Sequence, residues 1–396
     1  MHRTSARPTS LPAPPAAAAG GAEGPVRVCV VAPSLDILGG QAVQAARLLE
    51  ALRGAPGVEA ELLPVNPRLP GALRGLQRVK YLRTLVTQPA YLATLAARLG
   101  RCDVVHAFSA SYLSFVLAPT PAVLLARALG KPVIVNYRSG EAEDHLRRWP
   151  SARATLRLAD EVVVPSGYLV EVFARFGIAA REIANGVDGE RFRFRPRWPV
   201  RPVFLANRNL EPMYDVATVL RAFARIRARH PDARLTVAGD GSERGRLEAL
   251  AAELGVGDVR FAGRVAPEAM PALYEEAELY LNASLIDNFP GSILEAFAAG
   301  TPVVTTDAGG IPHLVDHGRT GMMVPAGDDR ALADAALRLL DEPALAASVA
   351  ASARAEARDR YGWAAVRDRW AGLYRALARG EAVESPAASP ATAVAG

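Results

Sequence analysis

Short apolar runs of strand type alternate with helical stretches in two successive series, and this alternation constrains the fold more than any other feature of the chain. The first series opens with Val26-Arg27-Val28-Cys29-Val30-Val31-Ala32, then Leu38-Gly39-Gly40 and a helical pattern over residues 41–53. Further apolar runs lie at 58–63, 104–107, 133–137 and 161–164, with helical periodicity between them, as at 168–176. Strands apolar on both faces that alternate with helices imply parallel sheets covered on both sides. The series pauses at Arg191-Phe192-Arg193-Phe194-Arg195-Pro196-Arg197-Trp198-Pro199-Val200-Arg201-Pro202, where three prolines fall within seven residues. Such a stretch is a stiff, extended connector. A second series follows, with strands expected at 203–206, 234–238, 259–261, 279–283, 303–306 and 321–324. Its helices are expected at 216–229, 245–254, 270–276, 291–299 and 330–340, with a last one at 363–378. The fold class is therefore α/β, with two doubly wound parallel-sheet domains facing across a cleft. The expected divisions are a disordered segment 1–24, a first domain 25–198, a second domain 199–360, a terminal helix 361–379 and a disordered tail 380–396.

Length and composition agree with two domains. The 396 residues are too many for one ordinary core, and 50% apolar with 22% charged residues describes a globular chain. The net charge of +5 reflects 46 basic against 41 acidic residues, without the clustering or reader fold that nucleic-acid binding demands. Two cysteines, Cys29 and Cys102, lie in or beside apolar strand-type runs and form neither a disulfide framework nor a zinc spacing, so a reducing cytoplasm is expected. Pro8, Pro12, Pro14 and Pro15 break up the first 24 residues, which read as neither a signal peptide nor a spanning helix. No run of about 18 apolar residues occurs anywhere. In the stretch 73–99, Arg74, Arg78, Lys80, Arg83, Tyr81 and Tyr91 interleave with leucines. Two readings stay open there: a helix with a solvated basic face, or a peripheral contact with an anionic membrane.

The segment that carries chemistry is Asp287-Asn288-Phe289-Pro290-Gly291-Ser292-Ile293-Leu294-Glu295. Two carboxylates bracket a small-residue turn, and Glu295 lies early in an apolar helix that ends at Gly300. The first amides of a helix lack intrahelical partners and make an anion site. A ligand with phosphates in the middle and hydroxyl-rich groups at both ends, such as a nucleotide sugar, suits that arrangement. Taken alone, Glu295 could also be an ordinary helix-dipole acid.

Further pieces accompany this segment: Gly39-Gly40, Asn185-Gly186-Val187-Asp188 with Phe192, Asn207-Arg208-Asn209-Leu210, Val237-Ala238-Gly239-Asp240-Gly241 and Phe261-Ala262-Gly263-Arg264-Val265. In this order and spacing the set resembles the retaining glycosyltransferases of family 4, over about residues 26–378. The resemblance implies the GT-B fold, two Rossmann-like domains with the active site between them and a C-terminal helix crossing back to the first domain. It implies that Asp287 hydrogen-bonds the donor sugar, that Glu295 binds the ribose, and that the backbone around Asn288, Phe289, Pro290, Gly291 and Ser292 faces the sugar and phosphates. Arg208 would neutralise the leaving diphosphate, a charge-assisted role for a forked guanidinium; its alternative is a surface ion pair. Gly39 and Gly40 would let backbone approach the phosphates, and Arg264 and Val265 would lie at the donor. His106 matches a histidine facing the cleft near the reacting sugar, although a strand-end histidine can equally be a satisfied core residue. Asn136, Arg138 and Glu141 are polar where a cleft wall is expected and are assigned to the acceptor side.

Two departures from the pattern stand out. Asp287 stands where the family usually has Glu, and Glu211-Pro212-Met213-Tyr214-Asp215 has no cation where a lysine usually follows the arginine by about five residues. Either Arg208 with helix N-termini suffices, or Arg264 fills in, or activity is reduced. No Asp-x-Asp motif is present, so transfer is expected to need no metal and no cofactor, the nucleoside-diphosphate sugar being a co-substrate. The leaving diphosphate's own oxygen would deprotonate the acceptor, which is a glycan, a lipid-linked compound or a small molecule. The alternatives are a nucleotide-sugar epimerase of the same fold and a degenerate nucleotide-sugar-binding subunit.

Overall fold

The computed structural model describes residues 24–36, 40–67, 80–109, 111–197 and 199–381, giving the backbone alone for 80–86. Gly39, Arg74, Arg78, Trp198 and the segments 1–23 and 382–396 lie outside the described residues, as do the side chains of Lys80, Tyr81 and Arg83.

Two six-stranded parallel sheets form the frame. The first contains β1 (Val26–Ala32), β2 (Val58–Pro64), β3 (Val104–Ser109), β4 (Val133–Tyr137), β5 (Glu161–Val164) and β6 (Arg181–Glu182), in the order β2-β1-β3-β4-β5-β6. The second contains β7 (Val203–Asn207), β8 (Arg234–Ala238), β9 (Val259–Gly263), β10 (Leu279–Asn282), β11 (Val303–Thr306) and β12 (Met322–Val324), in the order β12-β11-β10-β7-β8-β9. Strands β3, β4, β10 and β11 are buried along their whole length, as expected for strands covered on both faces.

Four apolar layers cover the two sheets. One face of the first sheet packs on α2 (Lys80–Arg98), α3 (Tyr112–Leu117), α4 (Pro119–Ala128), α5 (Ala142–Arg148), α6 (Pro150–Leu156) and α7 (Gly167–Ala174). Its other face packs on α1 (Gly40–Leu52) and α14 (Trp363–Ala378), through Leu48, Leu52, Val366, Trp370 and Tyr374. The second sheet is covered by α8 (Val216–Arg229), α9 (Arg244–Glu253) and α12 (Asp329–Asp341) on one face. On the other lie α10 (Met270–Glu276), α11 (Gly291–Ala299) and α13 (Pro343–Asp359). Tyr91 points into the first core, where its hydroxyl donates to the Ala118 carbonyl at 2.6 Å, so it is not part of an exposed face.

The chain passes between the lobes twice, at adjacent places. Ile183 still packs under α14, whereas Ala184, Val187 and Phe192 already belong to the second core. The return is at Tyr361–Trp363, where Val187 N donates to Tyr361 O at 2.8 Å. Gly186 sits there because the Trp363 indole occupies the space a Cβ would need. The outward crossing thus precedes the proline-rich connector, which lies against the second lobe instead of spanning between the two. Arginines fix that connector. The buried Arg197 guanidinium donates to the carbonyls of Tyr274, Ala277 and Ala299, the C-terminal ends of α10 and α11. These are groups a helix leaves without partners.

Candidate active site

Topology brings the site together. In the second sheet the strand order reverses between β7 and β10, and ligands of open α/β sheets bind at the carboxyl ends of strands at such a reversal. Arg208 is the first residue beyond β7, and the loop after β10 carries Asp287 into α11. A polar ladder positions that loop: Ser284 Oγ donates to Asn282 Oδ1 at 2.9 Å, and Thr306 Oγ1 donates to Ser284 O at 2.6 Å. Gly310 N donates to Asp287 O at 2.8 Å, and Gly309 and Gly310 lie so close that a Cβ on either would run into the Asp287 or Asn288 carbonyl.

Arg208 and Asp287 meet directly. Arg208 Nη2 lies 2.5 Å from Asp287 Oδ2, with the side chains 14% and 10% exposed, so water screens the pair little. Arg208 Nη1 donates to Ser292 Oγ at 3.4 Å, and its guanidinium lies 4.1 Å from the Tyr214 ring centroid, a cation–π contact. Burial opposes its charge, but the neighbouring Asp287 carboxylate raises its pKa above the ordinary value. The backbone amide of Asn288 donates to Asp287 Oδ1 at 2.8 Å. The short aspartate side chain therefore stays within reach of its own loop, and the arginine comes to it.

Helix α11 begins at Gly291 without a side-chain cap and ends at Gly300 in the left-handed region (φ 68°). Its first amides are available to an anion. Ser292 is buried, and its hydroxyl also accepts from Tyr280 Oη at 2.8 Å. Glu295 is half-buried beside Tyr274 and Asn207, whose Nδ2 lies 3.5 Å from Oε2. Desolvation raises its pKa from 4.5 to about 7. Pro290 stands at the helix N-cap, and the Phe289 ring packs into the second core against Tyr361, so that residue can offer only backbone to the cleft. Both side-chain atoms of the buried Asn288 lack partners.

The remaining donor-side expectations are more scattered. Gly40 opens α1 with open space about it, and Gly39 lies outside the described residues. Arg264 is exposed just beyond β9, and Val265 is half-buried against the second core.

On the first-domain side His106 corrects the sequence reading. The apolar run places it at a strand end, but β3 continues to Ser109, where Phe108 and Ser109 pair with Asn136 and Tyr137. His106 is consequently mid-strand and fully buried, stacked against Phe108 and Trp370 at centroid distances of 4.9 and 4.4 Å. It does not face the cleft. Nδ1 lies 2.7 Å from Tyr374 Oη and Nε2 lies 2.9 Å from Asn136 Nδ2. Arg138 Nε, which can only donate, contacts Asn136 Oδ1 at 3.0 Å, so Asn136 must present its NH₂ to His106. Nε2 therefore accepts, and Nδ1 carries the proton toward Tyr374. Burial, with the Arg138 charge nearby, holds the His106 pKa well below its usual value.

Asn136 is likewise interior, not an acceptor contact. Glu141 is exposed at the start of α5 and does not line the pocket. Arg138 does: its Nη1 donates to Asn185 Oδ1, and Asn185 Nδ2 donates to Phe289 O at 3.0 Å. An open space of about 460 Å³ between the lobes is lined by Arg138, Asn185, Met213, Tyr214, Asp287 and Asn288, among others. Sequence reasoning assigned no role to Tyr214, Asn185 or Gly309-Gly310, although Asn185 stands in one of the sequence pieces noted above and the glycine pair lies just past a strand. Among the described residues no group of three or more His, Cys, Asp or Glu side chains is placed to hold a metal ion.

Fold and site together define a two-domain α/β protein with a polar cleft between its lobes. Comparison with known proteins narrows this. The model described as "Glycosyltransferase Family 4" matches residues 38–191, and that described as "Glycosyl transferases group 1" matches residues 201–342. The chain is 31% identical over 307 residues to glycogen synthase of Mycobacterium tuberculosis, covering 73% of this chain and 72% of that one. It is 31% identical over 322 residues to the GDP-mannose-dependent alpha-(1-6)-phosphatidylinositol monomannoside mannosyltransferase of Mycolicibacterium smegmatis, covering 74% and 82%. Among solved structures, HepE of Anabaena in complex with UDP superposes with a TM-score of 0.70 at 19% identity, over 89% of this chain and all of that one. The chain belongs to glycosyltransferase family 4 and has the GT-B fold.

Proposed function

We propose that the protein is a retaining, metal-independent glycosyltransferase that moves a sugar from a nucleoside-diphosphate sugar to a hydroxyl acceptor. The observation that carries this reading is the Arg208–Asp287 pair at the uncapped N-terminus of α11, with Glu295 on the same helix. Glu295 takes the ribose, the α11 amides and Arg208 take the diphosphate, and Asp287 takes a hydroxyl of the donor sugar. As the bond from the anomeric carbon to the phosphate oxygen breaks, charge accumulates on the departing diphosphate, where Arg208 stabilises it. Asp287, the one carboxylate lining the pocket among the described residues, is tied to Arg208, and His106 is neutral and interior. The acceptor proton therefore passes to the leaving diphosphate's own oxygen on the face from which the acceptor attacks, which retains configuration. The mycolicibacterial relative is GDP-mannose-dependent by name and the Anabaena neighbour is in complex with UDP, which supports a nucleotide-sugar donor. The acceptor belongs to the glycan, lipid-linked or small hydroxyl compounds. The reading places the protein in a reducing cytoplasm, where the buried Cys29 and Cys102 stay free.

Incubation with UDP-glucose, GDP-mannose and ADP-glucose without acceptor tests the reading. Slow release of sugar of retained anomeric configuration, followed by NMR, is expected for at least one donor. Epimerised nucleotide sugar, or binding of all three without turnover, would overturn it.

A further inference from the structure

Arg138 is a half-buried guanidinium with no carboxylate beside it. Its Nε is held by Asn136 and its Nη1 by Asn185, while its face lies 5.2 Å from the Phe108 ring centroid. Among the described residues Nη2 has no hydrogen-bond partner, and loss of hydration pushes the pKa down to about 10. A charge largely taken out of water without a counter-ion is costly, and a ligand of opposite charge would relieve that cost. The pocket that Arg138 lines is walled opposite by Met213, Tyr214, Asp287 and Asn288, the donor side of the site. Among the described residues Arg138 is the one cation lining this space; Arg208, which faces Asp287, is not among its lining residues. The buried Asn288 amide, unpartnered at both atoms, lines the same space.

We propose that Arg138 is the second cation of the diphosphate site, reaching across from the first domain so that its free Nη2 and the Asn288 amide hold the donor's distal phosphate together with Arg208. This rests on the nucleotide-sugar reading above and reassigns Arg138 from acceptor to donor. The Asn136–His106–Tyr374 chain then has a purpose: it fixes the guanidinium plane from the interior, and α14 supplies its far end. A phosphate already carrying the Arg208 charge gains a second charge-assisted contact as the diphosphate leaves.

The test is calorimetric, using UDP and GDP against UMP and GMP, because a monophosphate lacks the distal phosphate. In the native chain the diphosphate is expected to bind more tightly. Arg138→Met should lower diphosphate affinity about tenfold or more while leaving monophosphate affinity within about twofold. Arg138→Lys, which keeps charge without the fork, should fall between. Met213→Lys added to Arg138→Met brings a cation to the same pocket from the opposite wall and should restore most of the diphosphate preference. A structural role for Arg138 would not produce that rescue. If Arg138→Met does not fold, Arg138→Gln, which can still donate to Asn136, carries the same comparison. An unchanged diphosphate-to-monophosphate ratio in the neutral variant, or no rescue by Met213→Lys, overturns the proposal. If the native chain binds none of UDP, GDP and ADP, the nucleotide-sugar reading itself fails, a result distinct from either of those.

Discussion

Glu295 links nucleotide binding to pH in a way that can be worked out in advance. Its carboxyl titrates at about 7 because desolvation at the start of α11 disfavours the charge. Ribose hydroxyls donate best to the ionised form, so binding selects the carboxylate and releases a proton wherever the free protein is protonated. With a free-state pKa near 7, affinity is close to its plateau at pH 8 and falls about tenfold per unit below pH 7. Between pH 8 and 5.5 the loss is about 30-fold, or about 2 kcal/mol. The assay is titration calorimetry with a nucleotide sugar, whose diester diphosphate does not itself titrate in this range. At pH 7 about half a proton should be released per ligand, read from the dependence of heat on buffer ionisation enthalpy. Glu295→Gln should bind more weakly than the native chain at pH 8 and show no slope. Stability of the unliganded protein should move the opposite way. The unfolded chain ionises this carboxyl from about pH 4.5, whereas the folded one does so only near 7. The stability associated with the neutral carboxyl is therefore complete below pH 4.5, declines as pH rises through this window and is gone above 7. Glu295→Gln should thus be more stable than the native chain at pH 8 by about 3 kcal/mol, and equal to it at pH 4. A native affinity flat from pH 5.5 to 8, or a Gln variant with the native slope, would refute the ribose assignment and its electrostatics together.

Three other substitutions separate chemistry from scaffolding. Arg208→Ala should lower turnover about 100-fold or more with a smaller loss of donor affinity, because its charge acts on the departing diphosphate; native turnover in steady-state kinetics would exclude the role. His106→Gln should leave the shape of the rate–pH profile between pH 6 and 8 unchanged, since the ring is neutral throughout, while lowering the melting temperature. Because the unfolded histidine protonates below about pH 6.5 and the buried one resists it, the native chain should lose stability relative to this variant as pH falls through that value. Arg197→Met should cost about 2–4 kcal/mol in chemical denaturation with binding retained near pH 8, because three buried helix-end carbonyls each lose a donor and only Ala277 O and Ala299 O keep one, from Arg195.

Most strands of both sheets were legible because an element buried on both faces is largely apolar or β-branched, as Val133–Tyr137 and Val303–Thr306 are, whereas the two charged residues of β6 gave no such signal. The segment 287–295 was legible because its chemistry is local: acid, small residues, acid, helix. What the sequence concealed depends on partners far along the chain. His106 looked like a strand end because Ser109 is polar, yet Ser109 pairs with Tyr137 and extends the strand past the histidine. The helices at 142–156 and 343–359 are short or alanine-rich, with too little apolar contrast to mark a face. Arg138 contacts a residue 47 positions away, and Asn185 contacts one 104 positions away. No periodicity encodes such contacts, which exist only because the chain leaves the first lobe at Ile183–Val187, beside its return at Tyr361–Trp363. Asn185 lies within that outward crossing, so the residue that joins the lobes covalently also carries a hydrogen-bond path from Tyr374 through His106, Asn136 and Arg138 to the Phe289 carbonyl. The donor loop and the first-domain wall are therefore set by one junction. A motif that identifies either half of the cleft from sequence cannot show that Asn185 ties the two halves together.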